Sequence, residues 1–141
     1  MDLPAIAYGI PDQVYFSVSD DHLQPVYWIA SSLADVRSFP RPVQRAVGYS
    51  LFRAQEGKKA PDAKPLKGIV KGAGVLEVVE DHDTDTYRVV YTVRFAEVVY
   101  VLHAFQKKAK RGKSTPKHEI ALIRSRYEAA RAHYEAEVKN K

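Results

Sequence analysis

Basic residues follow directly after an apolar stretch in the last third of the sequence. The stretch Val98–Leu102 is rich in β-branched residues, and five of the seven positions from 107 to 113 are Lys or Arg. We predict a strand over Val98–Phe105, and a strand fixes the directions of the side chains at its end. Lys107 and Lys108 would therefore be held at defined positions, as a binding site for a polyanion requires.

Arg88 is the residue best placed to act with these lysines, because it stands in the middle of the preceding predicted strand. An arginine there must reach water, pair with a carboxylate such as Glu77, or serve a site. Pairing across strands is the more common arrangement. If Arg88, Lys107 and Lys108 converge on one region of the sheet, they would form a surface that stabilises a phosphate.

His103 and two loop lysines are candidates that also have an ordinary structural explanation. A histidine near the end of a strand can transfer protons, but a single histidine is more often hydrogen-bonded at the edge of a core. Its spacing to the other four histidines does not suit a metal, so we predict no metal site and no cofactor. Lys64 and Lys67 could line a groove beside the sheet, or they could keep a loop soluble.

The composition is that of one globular domain with an uneven distribution of charge. The 141 residues are 45% hydrophobic and 28% charged, which suffices for a single buried core. Residues 1–102 carry 11 basic and 13 acidic side chains, whereas residues 103–141 carry 11 and 4. This asymmetry favours a nucleic acid or another acidic partner, although a solvated basic helix explains it equally well.

Several classes of protein are excluded or disfavoured by what the sequence lacks. The absence of cysteine excludes disulfides, thiol catalysis and Cys-ligated zinc. No apolar run approaches the ~18 residues of a membrane span, and the first residues lack the features of a signal peptide. We therefore expect a cytoplasmic protein that does not associate with a membrane.

Helix and strand signals occur together along the chain and predict an α+β fold. Asp81–Asp85 is read as a polar turn between two strands, since an EF-hand loop would need Gly where Thr86 stands. The predicted elements are a strand at 26–30, helices at 32–39 and 42–56, a loop at 57–74, strands at 75–80, 87–94 and 98–105, and a C-terminal helix.

The C-terminal helix is predicted to begin at Thr115, as the capping residue, with Pro116 in its first turn. It carries a narrow apolar seam of residues spaced three and four apart. The seam consists of Ile120, Ile123, Tyr127, Ala130 and Tyr134. Such a seam can pack on the parent domain or bind a helix of a partner.

Several short motifs follow one another in a specific order. They are Phe39-Pro40, Gln55-Glu56-Gly57, Lys64-Pro65-Leu66-Lys67-Gly68, Thr86-Tyr87-Arg88, and Leu102-His103-Ala104-Phe105-Gln106-Lys107-Lys108 with Thr115-Pro116 downstream. Over about residues 26–136 the chain resembles the phage-derived subfamily of the RelE/HigB toxin superfamily. Residues 1–25 fall outside the resemblance.

The resemblance implies a fold and an activity. The fold would be a small, mainly antiparallel sheet with an N-terminal two-helix hairpin packed on one face and a C-terminal helix. It implies three parts, namely an extension at 1–25, a RelE-like core at 26–113 and the C-terminal helix at 114–141. Members are toxins of type II toxin–antitoxin modules that cleave mRNA, typically on the ribosome and without a metal. Their partner is a small antitoxin, usually with a helix-turn-helix domain, in a toxin–antitoxin hetero-oligomer.

The resemblance also implies roles for residues. RNA supplies its own nucleophile, the 2′-hydroxyl, so the protein must align it, move protons and stabilise the phosphorane. Arg88, Lys107 and Lys108 would stabilise the phosphate, and His103 or Tyr91 would transfer protons. The residues that would hold the RNA backbone are Lys64, Lys67, Lys110 and Arg111. The alternative is a basic module of the same fold that binds RNA or the ribosome without cutting.

Overall fold

The computed structural model describes residues 23–70, 74–107 and 115–139. Within these ranges the chain forms five strands and three α-helices, and the last α-helix continues into a short π-helix, Tyr134–Val138. In chain order they are β1 (Val26–Trp28), α1 (Ser32–Arg37), α2 (Arg41–Gln55), β2 (Ala63–Pro65), β3 (Val75–His82), β4 (Asp85–Thr92), β5 (Val99–Lys107) and α3 (Lys117–His133). Among the described residues, no helix combines the length and the hydrophobicity that a membrane span requires.

The strands form a single sheet in the order β1-β5-β4-β3-β2. The pairs from β2 to β5 are antiparallel, and β1 runs parallel to β5 with Val26 opposite Val99. The prediction of an α+β fold with a mainly antiparallel sheet is therefore confirmed. The first six residues of β5 are buried, which agrees with the apolar character of both faces of this strand.

The helices cover both faces of the sheet, so the chain has two apolar cores. The predicted helical hairpin, now α1 and α2, packs on one face, where Val43, Val47 and Leu51 are at most 2% exposed. Helix α3 packs on the other face and buries Ile123, Tyr127 and Ala130 against the sheet. The C-terminal seam thus packs on its own domain, which was one of the two predicted outcomes.

The prediction of an uninterrupted loop over residues 57–74 was wrong. Residues Ala63–Pro65 form the edge strand β2, with Lys64 opposite Glu77 of β3. A three-residue strand that contains a proline shows no alternation of apolar residues, so the sequence carries no strand signal there. Proline is tolerated because an edge strand needs no donor on its outer side.

The turn between β3 and β4 is shorter than the predicted turn over residues 81–85. His82 pairs with Asp85, so the loop is reduced to Asp83 and Thr84. Asp83 adopts a φ of 57°, and aspartate tolerates this left-handed conformation better than most residues. The segment is a hairpin turn between strands, as predicted, and not a calcium-binding loop.

Candidate functional site

The strand register places Arg88 at the centre of the sheet. In β4 it lies between Val79 of β3 and Phe105 of β5, and its side chain points to the face that α3 covers. The residue is 3% exposed. A buried guanidinium needs a carboxylate partner, because the desolvation of an unpaired charge is prohibitive.

Glu77 is that partner. Arg88 Nη1 donates to Glu77 Oε2 over 3.0 Å, and each side chain is 4% exposed. The Thr115 hydroxyl donates to the same carboxylate oxygen over 2.8 Å and lies 3.3 Å from Arg88 Nη1. The predicted ion pair with Glu77 is confirmed, and the partly buried Thr115 completes a three-residue network.

The role predicted for Thr115 as the helix cap was wrong. The N-cap position of α3 is Pro116, and no side chain caps the helix. The Thr115 hydroxyl serves Glu77 instead. A buried carboxylate gains more from an additional donor than the exposed amides of a helix terminus gain from a cap.

His103 is held between two charged side chains of α3. Its Nε2 lies 2.5 Å from Glu119 Oε1, and its Nδ1 lies 3.0 Å from Arg126 Nη1. A guanidinium can only donate, so Nδ1 must accept, and the ring proton must sit on Nε2 and be donated to Glu119. This geometry selects the neutral ring with the proton on Nε2. The residue is 6% exposed, as expected for a hydrogen-bonded histidine at a core edge.

Lys107 and Lys64 project from the same face of the sheet as Arg88 and His103. Side chains alternate along a strand, and directly paired residues share a face. Lys107 is two residues beyond Phe105 and pairs with Thr86. Lys64 is exposed and lies opposite Glu77.

The other predicted basic residues are less closely tied to this face. Lys67 is exposed in the loop after β2. Lys108, Lys110 and Arg111 lie outside the described residues. The register therefore places Arg88 and three of the other seven predicted site residues, His103, Lys107 and Lys64, on one face of the sheet.

Tyr91 cannot serve as a proton-transfer group at this face. It is completely buried among the residues that pack with α1 and α2 on the opposite face. Burial raises the pKa of its hydroxyl to about 12, because the phenolate would be desolvated. The alternation along the strand already predicts that Tyr91 and Arg88 lie on opposite faces, and the structure confirms that placement.

A family model described as phage-derived protein Gp49-like (DUF891) matches residues 34–128. The chain belongs to this family. The Gp49-like family is a toxin-like family related to RelE and HigB, and a toxin-like protein of this kind implies an antitoxin partner in general. The match includes all the residues of the site described above. Among curated proteins, no match is found.

Two residues of the Gp49-like chain that shape the site were missed in the sequence. Neither Glu119 nor Arg126 was predicted from the sequence to take part in the site. Glu119 precedes Ile123 by four residues, and Arg126 follows Ile123 by three. This spacing places all three side chains on one side of a helix. That spacing was the available signal, because Ile123 is buried against the sheet. Arg126 also donates to the Leu102 carbonyl over 3.2 Å.

No group of three or more potential metal ligands occurs among the residues described for this Gp49-like chain. The site is instead built from two arginine–acid contacts on the α3 side of the sheet. One is the Arg88–Glu77 pair, and the other links Arg126 to Glu119 through His103. An anion that reaches one of these guanidinium groups can be bound or polarised by it.

A further acidic group of the Gp49-like chain lies on the α1–α2 face and makes folding stability depend on pH. Burial, a hydrogen bond with Asp62 and repulsion from Asp62 and Asp81 raise the pKa of Glu80 from 4.5 to about 7. A carboxyl whose pKa is raised by folding binds its proton more tightly in the folded state. Its favourable contribution is complete below pH 4.5 and is lost as the pH rises through about 7.

We expect Glu80→Gln, which keeps the hydrogen bond without a charge, to remove this loss. The variant should gain about 1 kcal/mol in free energy of unfolding over wild type between pH 4.5 and pH 8, after allowance for solvent screening of a half-buried group. Urea unfolding at several pH values measures the difference. The exposed Glu137→Gln is the control, and a difference that does not change with pH would contradict the expectation.

Proposed function

We propose that this chain is the toxin of a type II toxin–antitoxin module and that it cleaves mRNA on the ribosome without a metal. Membership in a toxin-like family related to RelE and HigB supports the toxin assignment. The observation that carries the cleavage proposal is the shared sheet face of Arg88, His103 and Lys107. Three side chains suited to phosphate binding or proton transfer project there from two adjacent strands.

The chemistry requires only groups that this face carries. Attack of the RNA 2′-hydroxyl on the adjacent phosphorus forms the phosphorane and then releases the 5′-oxygen of the next nucleotide. Arg88 would stabilise the charge on the phosphorane oxygens through its planar fork. Lys107 and Lys108 would add positive charge, or one of them would transfer a proton. Lys64, Lys67, Lys110 and Arg111 would hold the RNA backbone.

Two features of the site must change when RNA binds. Arg88 is 3% exposed beneath its contacts with Glu77 and Thr115. A phosphate can therefore reach its guanidinium only if the chain moves at Thr115. His103 can accept a proton at Nδ1 only after Arg126 moves away from that atom. Glu77 and Glu119 are then the groups that orient Arg88 and His103, through the contacts that they already make.

The proposed partners are an antitoxin with a helix-turn-helix domain, mRNA and the ribosome. The antitoxin would block the toxin in a hetero-oligomer. The proposed core of the toxin is residues 26–113, followed by a helical part at 114–141 and preceded by an extension at 1–25. We propose that the protein acts in the cytoplasm, where its RNA substrate is.

A second candidate function is a basic module that binds RNA or the ribosome without cleaving. The buried Arg88–Glu77 pair favours it, because Glu77 compensates the charge that a phosphorane would need. In that case the lysines would provide the affinity, and Arg88 would serve the fold.

Induction of the chain in bacteria, combined with primer extension on a reporter mRNA, separates the two functions. We expect growth arrest with mRNA cuts from the wild type. Lys107→Ala/Lys108→Ala should reduce cleavage by about 10²–10³-fold, the loss expected when transition-state charge is no longer stabilised. The control Arg41→Ala/Arg45→Ala removes two exposed charges on α2 and should leave cleavage unchanged.

Each other outcome has a definite meaning. Arrest with RNA binding but without cuts would establish the binding module. Soluble wild-type protein that causes neither arrest nor cuts would overturn the cleavage proposal and favour the binding module. Arg88→Lys, at equal solubility, tests the fork directly, because it keeps the charge next to Glu77 but loses the planar geometry.

A further inference from the structure

A cleft on the α1–α2 face of the sheet is separate from the Arg88 site. It has a volume of about 430 Å³ and lies between the end of α2, the start of β3 and the end of β4. Its floor is apolar and includes Ala54, Leu76 and Val93. Val93 is 39% exposed and is one of three large apolar side chains that are exposed in the described part of the chain.

The rim of the cleft carries two adjacent positive charges and one negative charge. It consists of Lys58, Lys59 and Glu97, and all three residues are exposed. Positive charge therefore predominates at the rim. An occupant that matches this surface has a few apolar side chains next to acidic ones. The volume suits a short extended segment and is small for a helix with its side chains.

The chain enters the described fold at the wall of this cleft. Gln24 lines the cleft, and its backbone N–H donates to the backbone carbonyl of Gln55 over 2.9 Å. The Gln55 side chain donates back to the Gln24 carbonyl over 2.8 Å. This reciprocal contact fixes the point from which residues 1–22, which lie outside the described residues, must depart.

The sequence just before Gln24 has the composition that the cleft requires. Asp20 and Asp21 are adjacent acids, and Val14–Val18 is an apolar, β-prone run. Four residues of extended chain span at most ~14 Å, so the two acids are within reach of a rim that Gln24 itself shares. If the chain is followed backwards from Gln24, the two acids come first and the apolar run comes next. This order matches a path from the wall of the cleft, across its rim, to its floor.

We propose that Val14–Val18 of the same chain docks on the floor of this cleft and that Asp20 and Asp21 pair with Lys58 and Lys59. The occupant is the chain's own N-terminal segment rather than a second molecule, because the tether at Gln24 gives it a high effective concentration at the cleft. This inference does not depend on the proposed RNA cleavage, since the cleft and Arg88 lie on opposite faces of the sheet.

Disulfide trapping tests the proposal cleanly, because the chain has no cysteine of its own. Tyr15→Cys and Phe16→Cys are each combined with Val93→Cys, since neighbouring side chains of an extended segment point in opposite directions. The matched control replaces Val93→Cys with Tyr49→Cys on the exposed side of α2. We expect at least one pair with position 93 to form an intrachain disulfide about tenfold faster than its control.

Charge reversal tests the rim. Asp20→Lys/Asp21→Lys should slow trapping at position 93 about two- to tenfold, as should Lys58→Glu/Lys59→Glu, and the two reversals together should restore it. Equal trapping at positions 93 and 49 would overturn the proposal. Interchain disulfides at position 93 would also overturn it in favour of a second copy, and insensitivity to both reversals would refute the Asp–Lys pairing.

Discussion

Arg88→Met is expected to lower the free energy of unfolding by about 3–5 kcal/mol, because it leaves the Glu77 carboxylate buried without its cationic partner. The Thr115 hydroxyl remains as a donor, but a hydroxyl does not replace a full charge. For a protein of ordinary stability, a loss of this size is a large part of the total. Urea unfolding at pH 7 measures it.

The partner substitution should reverse most of the loss. Arg88→Met/Glu77→Leu replaces a buried ion pair with apolar side chains, which is often neutral or stabilising. The control is Arg45→Met on the exposed side of α2, for which we expect a change within about 0.5 kcal/mol. If the single Arg88→Met variant unfolds at the same urea concentration as the wild type, the buried Glu77 carboxylate does not depend on Arg88 for compensation of its charge.

The second large effect is expected in α3. Ile123 is completely buried in the core that α3 forms with the sheet. Ile123→Ala should therefore cost about 2–5 kcal/mol, the sum of the lost burial and the cavity that remains. Thermal and urea unfolding of the isolated full chain measure this loss.

The neighbouring residue supplies the control for this prediction. Leu122 has the same side-chain size as Ile123 and lies in the same helix, but it is 37% exposed. Leu122→Ala should change the free energy of unfolding by well under half as much as Ile123→Ala. Equal effects of the two substitutions, or no effect of either, would mean that α3 is not packed on the sheet of the isolated protein.

The parts of the fold that follow from hydrophobic periodicity were predictable. The spacing of Val43, Val47 and Leu51 located α2, and the apolar run of β5 identified a central strand. The ends of β3 and β4 were less predictable, since Asp81 and His82 belong to the strand through backbone pairing and not through burial. Backbone hydrogen bonds leave no trace in the pattern of side chains.

The contacts of the candidate site were likewise predictable only in part. A carboxylate partner for Arg88 could be predicted, because a mid-strand arginine must be compensated, and Glu77 lies on the next strand. The contacts of Thr115 and Arg126 could not, because they depend on how α3 lies across the sheet. That placement results from packing between segments that are distant in the chain, which local patterns do not encode.

The parallel pairing of β1 with β5 has a consequence for synthesis of the protein. Residue 26 leaves the ribosome early, but its partner at residue 99 follows only after β3 and β4. Until then, α1 and α2 have no completed sheet to cover, whereas the β3–β4 hairpin can form from local contacts. The nascent chain therefore exposes apolar surface that chaperones and proteases recognise. A chain that terminates before β5 lacks His103 and Lys107, so incomplete products carry no assembled site.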